Sequence, residues 1–530
     1  MIRRLTSAKK YFIPATALCI FQITVFSKVA VFAQEIKYIE TSIPGLLNPV
    51  DGSREVIGVR LLQLLYRGLI DKNRMGEWQP VLALDMPEYN EIDKTLTFKL
   101  KTGIQWPDGQ VITAKDVVQS FKTYVDARSK YGNVNILDNF EKVEAIDNVT
   151  IKFHLKRADR RSLARTSFFI MPSHILGDST YIAPDNSYNR SLIGAGPYVL
   201  KSLDENSAVL EVNSRYYKIP PSIQSVQLIT NPVEDVHKVL LQSGHIDLDP
   251  VIRPQDLPEY QSDFSIELLP YDSQSWYGFG YNCEKGILQF KEVRQALSKS
   301  FNREEALRAT FADQGTLISG PYTHSSFSFN PQIRPYEYDP LTLDVLLDSL
   351  QIVDTNGDGI REFNGESLVL HMVLSMRISQ DNKDICANFA QQLKAHGIEV
   401  IVDYQEQQAW YEKIFYSHNY DITFVQWKFD EGSNIYPLFS KTQKSPGMFN
   451  IVQFDNDEVE ILLDRFRNTE DDSERTEIGM RLHELLHEES PYTFLWTLQH
   501  GMAYRADNIR RINIHPFNFF NYIDEWLLEE

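Results

Sequence analysis

From Thr95 to Lys101 polar and apolar side chains alternate, the two-residue period of a half-buried strand. Pro107 and Asp108-Gly109 follow as a turn, a pre-set φ and then a residue that tolerates positive φ. Thr113 stands where a helix N-cap belongs, and Asp116 three residues on has capping-box spacing. Val143 to Leu155 reads as two strands joined at Asp147-Asn148. Asn231-Pro232 opens a helix over Val236, Val239, Leu240 and Leu241 that Gly244 closes. The spacing predicts amphipathic helices over Phe290–Ser300 and Asp381–His396, and late ones near Asp457–Arg467 and Glu474–Glu489. It predicts strands at Leu368–Leu374, Ile398–Val402 and Asp421–Val425, the last followed by an aromatic loop. Such alternation of strand and helix argues an α/β fold.

Length changes this picture first: 530 residues exceed one core and imply two or three domains. The N-terminus differs in composition from the rest. Arg3, Arg4, Lys9 and Lys10 precede an apolar run from Tyr11 to Phe26, and Val31-Phe32-Ala33 fits a small-residue cleavage site before Gln34, so residues 1–33 read as a signal peptide. An uncleaved anchor is the alternative, but a run of about 16 residues is short of the roughly 20 needed to span. Cys19 follows Leu18, not a small residue, which argues against lipid modification. Removing 1–33 takes away five basic and no acidic residues, moving the net charge from −19 to −24. A chain so acidic does not coat nucleic acid or anionic lipid by bulk electrostatics. Cys283 and Cys386 remain, and their separation leaves open whether they pair.

Five segments in order carry a resemblance: Tyr66-Arg67-Gly68-Leu69, Pro80-Val81-Leu82-Ala83, Phe98-Lys99-Leu100, Trp106-Pro107-Asp108-Gly109 and Thr113-Ala114-Lys115-Asp116-Val117. Further on stand Gly194-Ala195-Gly196-Pro197-Tyr198, Ser243-Gly244-His245-Ile246-Asp247, and Val293-Arg294-Gln295-Ala296-Leu297 with Asn302-Arg303-Glu304. Asn450, Arg475 and Pro491 complete the pattern. The whole resembles the family 5 solute-binding proteins of ABC importers, the oligopeptide-binding type. The resemblance implies a two-lobed type II periplasmic binding protein fold with an extra inserted domain. Lobe I is expected from 34–65, 173–275 and 491–530, the insertion from 66–172, and lobe II from 276–490. The implied function is capture of short peptides, or of other small solutes, by hinge closure and delivery to the membrane permease. The protein is expected outside the cytoplasm, periplasmic or extracellular, as a monomer without nucleic-acid partner, cofactor or catalysis.

The loop Gln426-Trp427-Lys428-Phe429-Asp430 lies beyond the carboxyl end of a strand, where α/β proteins bind ligands. Main-chain groups there can read a peptide backbone with little sequence preference. Peptide-binding members use a Trp-x-x-Asp loop, which implies backbone pairing along Gln426 to Lys428 and an ammonium anchor at Asp430. The family's continuation is missing, since Glu431-Gly432-Ser433-Asn434 follows. Trp410 resembles a position lining side-chain pockets. Tyr131, Trp276 and Tyr277 are further cleft candidates. Ser53 and Arg54 are placed to meet the other face of a peptide, and Arg54 or Lys428 to meet a ligand carboxylate.

Two strings suggest metals. His483-Glu484-Leu485-Leu486-His487 has the H-E-x-x-H spacing of a zinc peptidase, the rival from another class, but Ile478, Leu482, Leu485 and Leu486 form the apolar stripe and leave both His on its polar flank. Asp354-Thr355-Asn356-Gly357-Asp358-Gly359 opens like a calcium loop, yet its twelfth position is Gly365 and Glu366 comes one residue late. A polar turn is the expected reading, with Ca²⁺ the alternative. A receptor of the same fold that signals rather than transports would look identical in sequence.

Overall fold

A computed structural model describes residues 35–528 apart from 44, 53–55, 74–76, 132–138, 184, 190–191, 429–433, 470 and 513–518, and excludes the side chains of 127–131, 272, 274 and 511. Its spine is one sheet of eleven strands. Across it run Glu399–Gln405, Val369–Ser375, Ile422–Lys428, Ile266–Tyr281, Tyr492–Arg505, Leu248–Ile252, Glu35–Glu40, Ser225–Thr230, Ser207–Val212 and Tyr198–Leu203, and Gly315–Leu317 also pairs with Tyr492–Arg505. Ile422 through Val425 are buried in succession, the signature of a strand covered on both faces. Ser225–Thr230, nearer the far edge, alternates in burial over its first four residues.

Two strands are long enough to belong to both halves: Ile266–Tyr281, 16 residues, and Tyr492–Arg505, 14 residues. They pair antiparallel from Ile266 opposite Arg505 to Asp272 opposite Gln499, and again from Trp276 opposite Thr497 to Gly280 opposite Tyr492. Between these stretches residues 273–275 stand opposite Leu498 alone. One step further Tyr277 faces two residues, Leu495 and Trp496. Irregularities of this kind break the ladder and bend a strand. On one side of the break Leu248–Ile252 joins the ladder. On the other Ile422–Lys428 and Gly315–Leu317 join it. Two lobes thus share a sheet whose connecting strands are irregular where the lobes part. The expected division at 490/491 assigns all of Tyr492–Arg505 to lobe I. Its pairing puts Tyr492–Thr497 with the lobe II strands instead, because a crossing strand serves both cores.

Each lobe has its own interior. Ile36, Tyr38, Leu62 and Trp526 of lobe I share one large cluster with Phe98 and Trp106 of the segment 66–172. Lobe II has two clusters, one around Phe279, Phe389 and Leu393 and one around Trp276, Tyr492 and Leu482. A separate four-stranded sheet, Glu88–Asn90, Thr95–Lys99, Thr150–Leu155 and Phe140–Ala145, carries the helix Ala114–Tyr131. Asp116 at that helix start is buried; its Oδ2 accepts from the Thr113 N–H (2.7 Å) and its Oδ1 from the Ser173 N–H (2.7 Å). Half of the expected capping box forms. The Thr113 hydroxyl donates to the same carboxylate (3.2 Å) instead of capping the helix.

The helix expected after Asn231-Pro232 starts later, as a tight turn at Glu234–Val236 running into His237–Gln242. Asn231 caps the Val233 N–H (2.9 Å). Among the described residues no helix is long and apolar enough to cross a membrane.

Candidate ligand-binding cleft

The strand expected to stop at Val425 continues through Gln426, Trp427 and Lys428, which stand opposite Tyr277, Trp276 and Ser275. A partner strand 150 residues earlier holds these residues extended, which no local pattern reveals. On the other edge Val369–Ser375 runs parallel with Met372 beside Ile422. That register ends the neighbour beside Val425, so among the described residues Gln426–Lys428 have a strand on one edge only. A strand end with an open edge can extend its ladder onto a peptide. Gln426 and Lys428 are exposed and Trp427 is half-buried.

Trp427 and Trp410 belong to one aromatic train. Trp410, half-buried on the helix Gln407–Tyr411, meets Phe415 (5.6 Å between ring centroids), Phe415 meets Phe449 (6.0 Å), and Phe449 meets Trp427 (6.2 Å). Two candidates about 17 positions apart in sequence therefore sit on one wall. Trp276 does not join them at the surface: it is 0% exposed, edge-on to Tyr492 and tilted on Phe494, both at 5.2 Å. Tyr277 points into the other lobe II core. Both are core residues here because alternate residues of a doubly covered strand face the two interiors. Asp430, Ser53 and Arg54 lie outside the described residues, as does the side chain of Tyr131.

Lobe I holds buried charge that periodicity did not single out. Arg60 on the helix Val56–Leu65 grips Glu40, at the end of Glu35–Glu40, through Nε and Nη2 (2.5 and 2.6 Å). Burial pushes the Glu40 carboxyl up and Arg60 opposes that shift. Beside them His237 contacts Asp249 (3.1 Å) and gives its other ring proton to the Asn231 carbonyl (2.9 Å). The available signal was a charge inside an apolar run, Tyr38-Ile39-Glu40 and Val59-Arg60-Leu61. Although Lys428 keeps an exposed surface, its pKa is lowered, by partial desolvation first and by the charge of Arg60 second.

The lobes also touch at the rim. Arg161, in the turn Arg160–Thr166, donates to the carbonyls of Phe466 (3.1 Å) and Arg467 at the end of the helix Asp457–Asn468. Arg157 reaches Asn468 Oδ1 (3.2 Å), and elsewhere Gln255 Nε2 donates to Asp381 Oδ2 (3.2 Å). These contacts join segments some 130 to 310 residues apart, and no sequence signal marked them.

The H-E-x-x-H string is built into the helix Asp472–Glu489 as a tie. His483 is fully buried, not on a polar flank, because the chain from Ser319 to Ile333 covers that face. Its Nδ1 accepts the Asn330 N–H (2.9 Å), so in the neutral ring Nε2 carries the proton toward Ser319 Oγ (3.0 Å). His487 donates from Nδ1 to the Ser319 carbonyl (2.8 Å), and Glu484 pairs with Arg481 (2.5 Å). Both nitrogens of His483 are spent, and burial lowers its pKa to about 4. The loop at Asp354 turns its carboxylates on its own backbone, accepting from Gly357 (2.7 Å) and Gly359 (2.9 Å) N–H groups. Glu362, not Glu366, brings the third carboxylate near Asp354 and Asp358, within 4.8 Å.

A family model described as bacterial extracellular solute-binding proteins, family 5 Middle, matches residues 77–447. The chain is 26% identical over 451 residues to the oligopeptide-binding protein AppA of Bacillus subtilis, covering 83% of this chain and 82% of that one. The glutathione-binding protein GsiB of Escherichia coli K12 is 23% identical over 495 residues, 90% of this chain and 91% of that one. Among solved structures, AppA of Bacillus subtilis in complex with a nonapeptide superposes with a TM-score of 0.78 at 23% identity, over 94% of this chain and 99% of that one. NikZ of Campylobacter jejuni with Ni(L-His) gives 0.76 at 20%, over 93% and 99%. The match of the family model spans more than half of the chain, the superpositions show the same fold, and this chain belongs to the family 5 bacterial extracellular solute-binding proteins.

Proposed function

We propose that the protein is the exported receptor of an ABC importer, capturing short peptides between its lobes and handing them to the membrane permease. The observation that carries this reading is the strand end Gln426–Lys428, with an edge open beside an aromatic wall of Trp410, Phe415, Phe449 and Trp427. Main-chain pairing along that edge would bind a peptide whatever its side chains, and the aromatic wall would take varied side chains by contact area. Asp430 would anchor the α-ammonium and Ser53 with Arg54 would approach from lobe I. AppA, an oligopeptide-binding protein by name and seen with a nonapeptide, supports peptide as the ligand class.

In this reading residues 1–33 are removed on export, and the monomer binds without catalysing. The inserted domain is 66–172. Lobe I would be built from 34–65, 173–275 and 491–530 and lobe II from 276–490, with the crossing strand Tyr492–Arg505 serving both. Closure about the crossing strands presents the loaded form to the permease. NikZ with Ni(L-His) makes a small non-peptide solute the second reading. Mass spectrometry of ligand released from natively purified protein separates the two: peptides are expected, and a metal chelate or sugar in their place overturns the peptide claim.

A further inference from the structure

We propose that the outer edge of the strand Glu399–Gln405, with the groove beside it, is a second binding site, away from the cleft, that takes a free, extended, cationic peptide as an added strand. It goes beyond the cleft reading and does not depend on it.

This strand is the last of the eleven-stranded sheet, parallel to Val369–Ser375 in unbroken register from Val369 beside Glu399 to Ser375 beside Gln405. The Glu399 N–H donates to the Leu368 carbonyl (3.0 Å), and the Gln405 carbonyl accepts the Met376 N–H (2.9 Å). The odd-numbered residues therefore turn their main-chain groups to the neighbour. Val400, Val402 and Tyr404 turn theirs outward, where no main-chain partner stands among the described residues. Other outer edges of the two larger sheets are blunted. Tyr198–Leu203 is broken between Leu200 and Ser202, Phe140–Ala145 is broken after Phe140 and carries Glu141, Lys142 and Glu144, and Glu88–Asn90 has three residues. Glu399–Gln405 keeps seven in regular pairing, Val-Ile-Val among them.

A groove of about 320 Å³ lies beside the end of this edge, lined by Met376, Gln380, Lys383, Asp384, Ala387 and Tyr404. Tyr404 is 39% exposed, with Lys383 Nζ 5.7 Å from its ring centroid. Val400 and Val402 share the face of Tyr404 and pack on the interior that the helix Gln380–Ala395 covers. An added strand sends alternate side chains to that face, so the groove suits one bulky apolar side chain of the peptide. The opposite face carries Glu399, Ile401 and Asp403, and Glu406 follows the strand. Of these carboxylates Asp403 is paired, with Lys413 at 2.7 Å. Three carboxylates against one amine, in a chain of net charge −19, favour a cationic peptide. A second copy of the chain fits less well. Seven residues at about 3.3 Å each give an edge about 23 Å long, which at a thickness of about 10 Å offers about 230 Å². A stable pair of copies buries about 800 Å² on each partner.

The probe is a nonapeptide of alternating valine and lysine with phenylalanine in place of the central valine. It is titrated into the mature protein, and hydrogen exchange is read by mass spectrometry over 399–405 and, separately, over 422–428. The expected result is slowed exchange over 399–405. Val402→Pro removes an outward N–H that no strand uses, which an edge tolerates, and should raise the peptide concentration needed for that protection at least about tenfold. The same peptide N-methylated along its length should protect 399–405 no better, and one with glutamate for lysine should be at least about tenfold weaker. Should Val402→Pro fail to fold, the N-methylated peptide decides. Unchanged exchange over 399–405, or equal protection by the N-methylated peptide, overturns the proposal, and equal protection by the glutamate peptide overturns its cationic class. Protection confined to 422–428 overturns it and leaves the cleft reading standing. A dimer in sedimentation velocity that Val402→Pro dissolves gives the edge to a second copy and overturns it too.

Discussion

Replacing Arg161 with Ala removes the firmest of the contacts between the turn Arg160–Thr166 and the helix Asp457–Asn468. The guanidinium is held in place by Asp159 (2.8 Å from Nε) and donates two hydrogen bonds to carbonyls at the end of the helix Asp457–Asn468. Those carbonyls lack intrahelical partners and carry the negative end of the helix dipole, so a cation is favoured there. A hydrogen bond with one charged partner is worth about 1.5–3 kcal/mol net when well buried. Arg161 is 28% exposed on its side chain, and water screens and partly replaces its bonds in the open form. A loss of about 2 kcal/mol for both together is a fair central value, equivalent to a factor of about 30 in the closing equilibrium. If the unliganded protein is mainly open, that factor passes into apparent affinity; if mainly closed, less of it does. A fluorescence pair spanning the inserted domain and lobe II reads closure, and calorimetry reads affinity. The variant should be more open without ligand and bind about 10- to 30-fold more weakly, at an unchanged melting temperature for each lobe. Closure and affinity within twofold of wild type would refute the reasoning that this contact holds the lobes together.

Other consequences follow from the buried groups. His483 is kept neutral by burial, its pKa falling from 6.5 to about 4, and His487 shifts the same way. The unfolded chain then binds more protons between about pH 4 and 6.5, so stability is full above that window and lost as pH falls through it. His483 alone accounts for up to about 3 kcal/mol, and urea melts of His483→Gln should show a shallower loss between pH 7 and 4.5 than wild type, with no change on adding EDTA to either. In Gly320→Ala the new methyl would lie 2.3 Å from His483 Cδ2, against a ring pinned at both nitrogens, and should cost about 2 kcal/mol by denaturant titration. Arg60→Met leaves Glu40 buried and unpaired, an expected loss of about 3–5 kcal/mol that the double change with Glu40→Gln should largely recover; failure to recover would mean that Arg60 stabilises through packing on Phe519 rather than through charge.

The elements that local chemistry controls were legible in the sequence. Thr95–Lys99 is a strand, Asp147 turns the chain between Phe140–Ala145 and Thr150–Leu155, and helices fill Lys291–Ser300 and Gln380–Ala395. What escaped was set by distant partners. The strand Ile422–Lys428 runs three residues past its expected end because Ser275–Tyr277 wait beside it. Trp276 looked available for a ligand because a lone aromatic carries no mark of which side is covered, and Tyr492 and Phe494 cover it. His483 read as polar-flank for the same reason: helical periodicity reports the stripe facing the helix's own core and is blind to a loop folding over the opposite face. Of the candidate site, the wall of Trp410 and Trp427 was found from the sequence as separate residues, and only the fold connects them through Phe415 and Phe449.

The residues that carry the family resemblance are mostly spent on holding backbone. Arg294, in the Val-Arg-Gln-Ala-Leu segment, donates to the carbonyls of Leu288, Gln289, Glu489 and Ser490. Arg303 ties the carbonyls of Phe494 and Tyr336, and Asn450 bridges Ser440 and Phe454. A side chain at Gly194 would lie 2.1 Å from the Leu65 carbonyl, so that glycine lets the loop close on a helix end. A polar group so engaged cannot be exchanged without leaving a carbonyl or amide unsatisfied, at about 1–3 kcal/mol each, and it has nothing left to offer a solute. Under the proposed function, ligand choice would rest with polar groups that the fold leaves unspent where the lobes part.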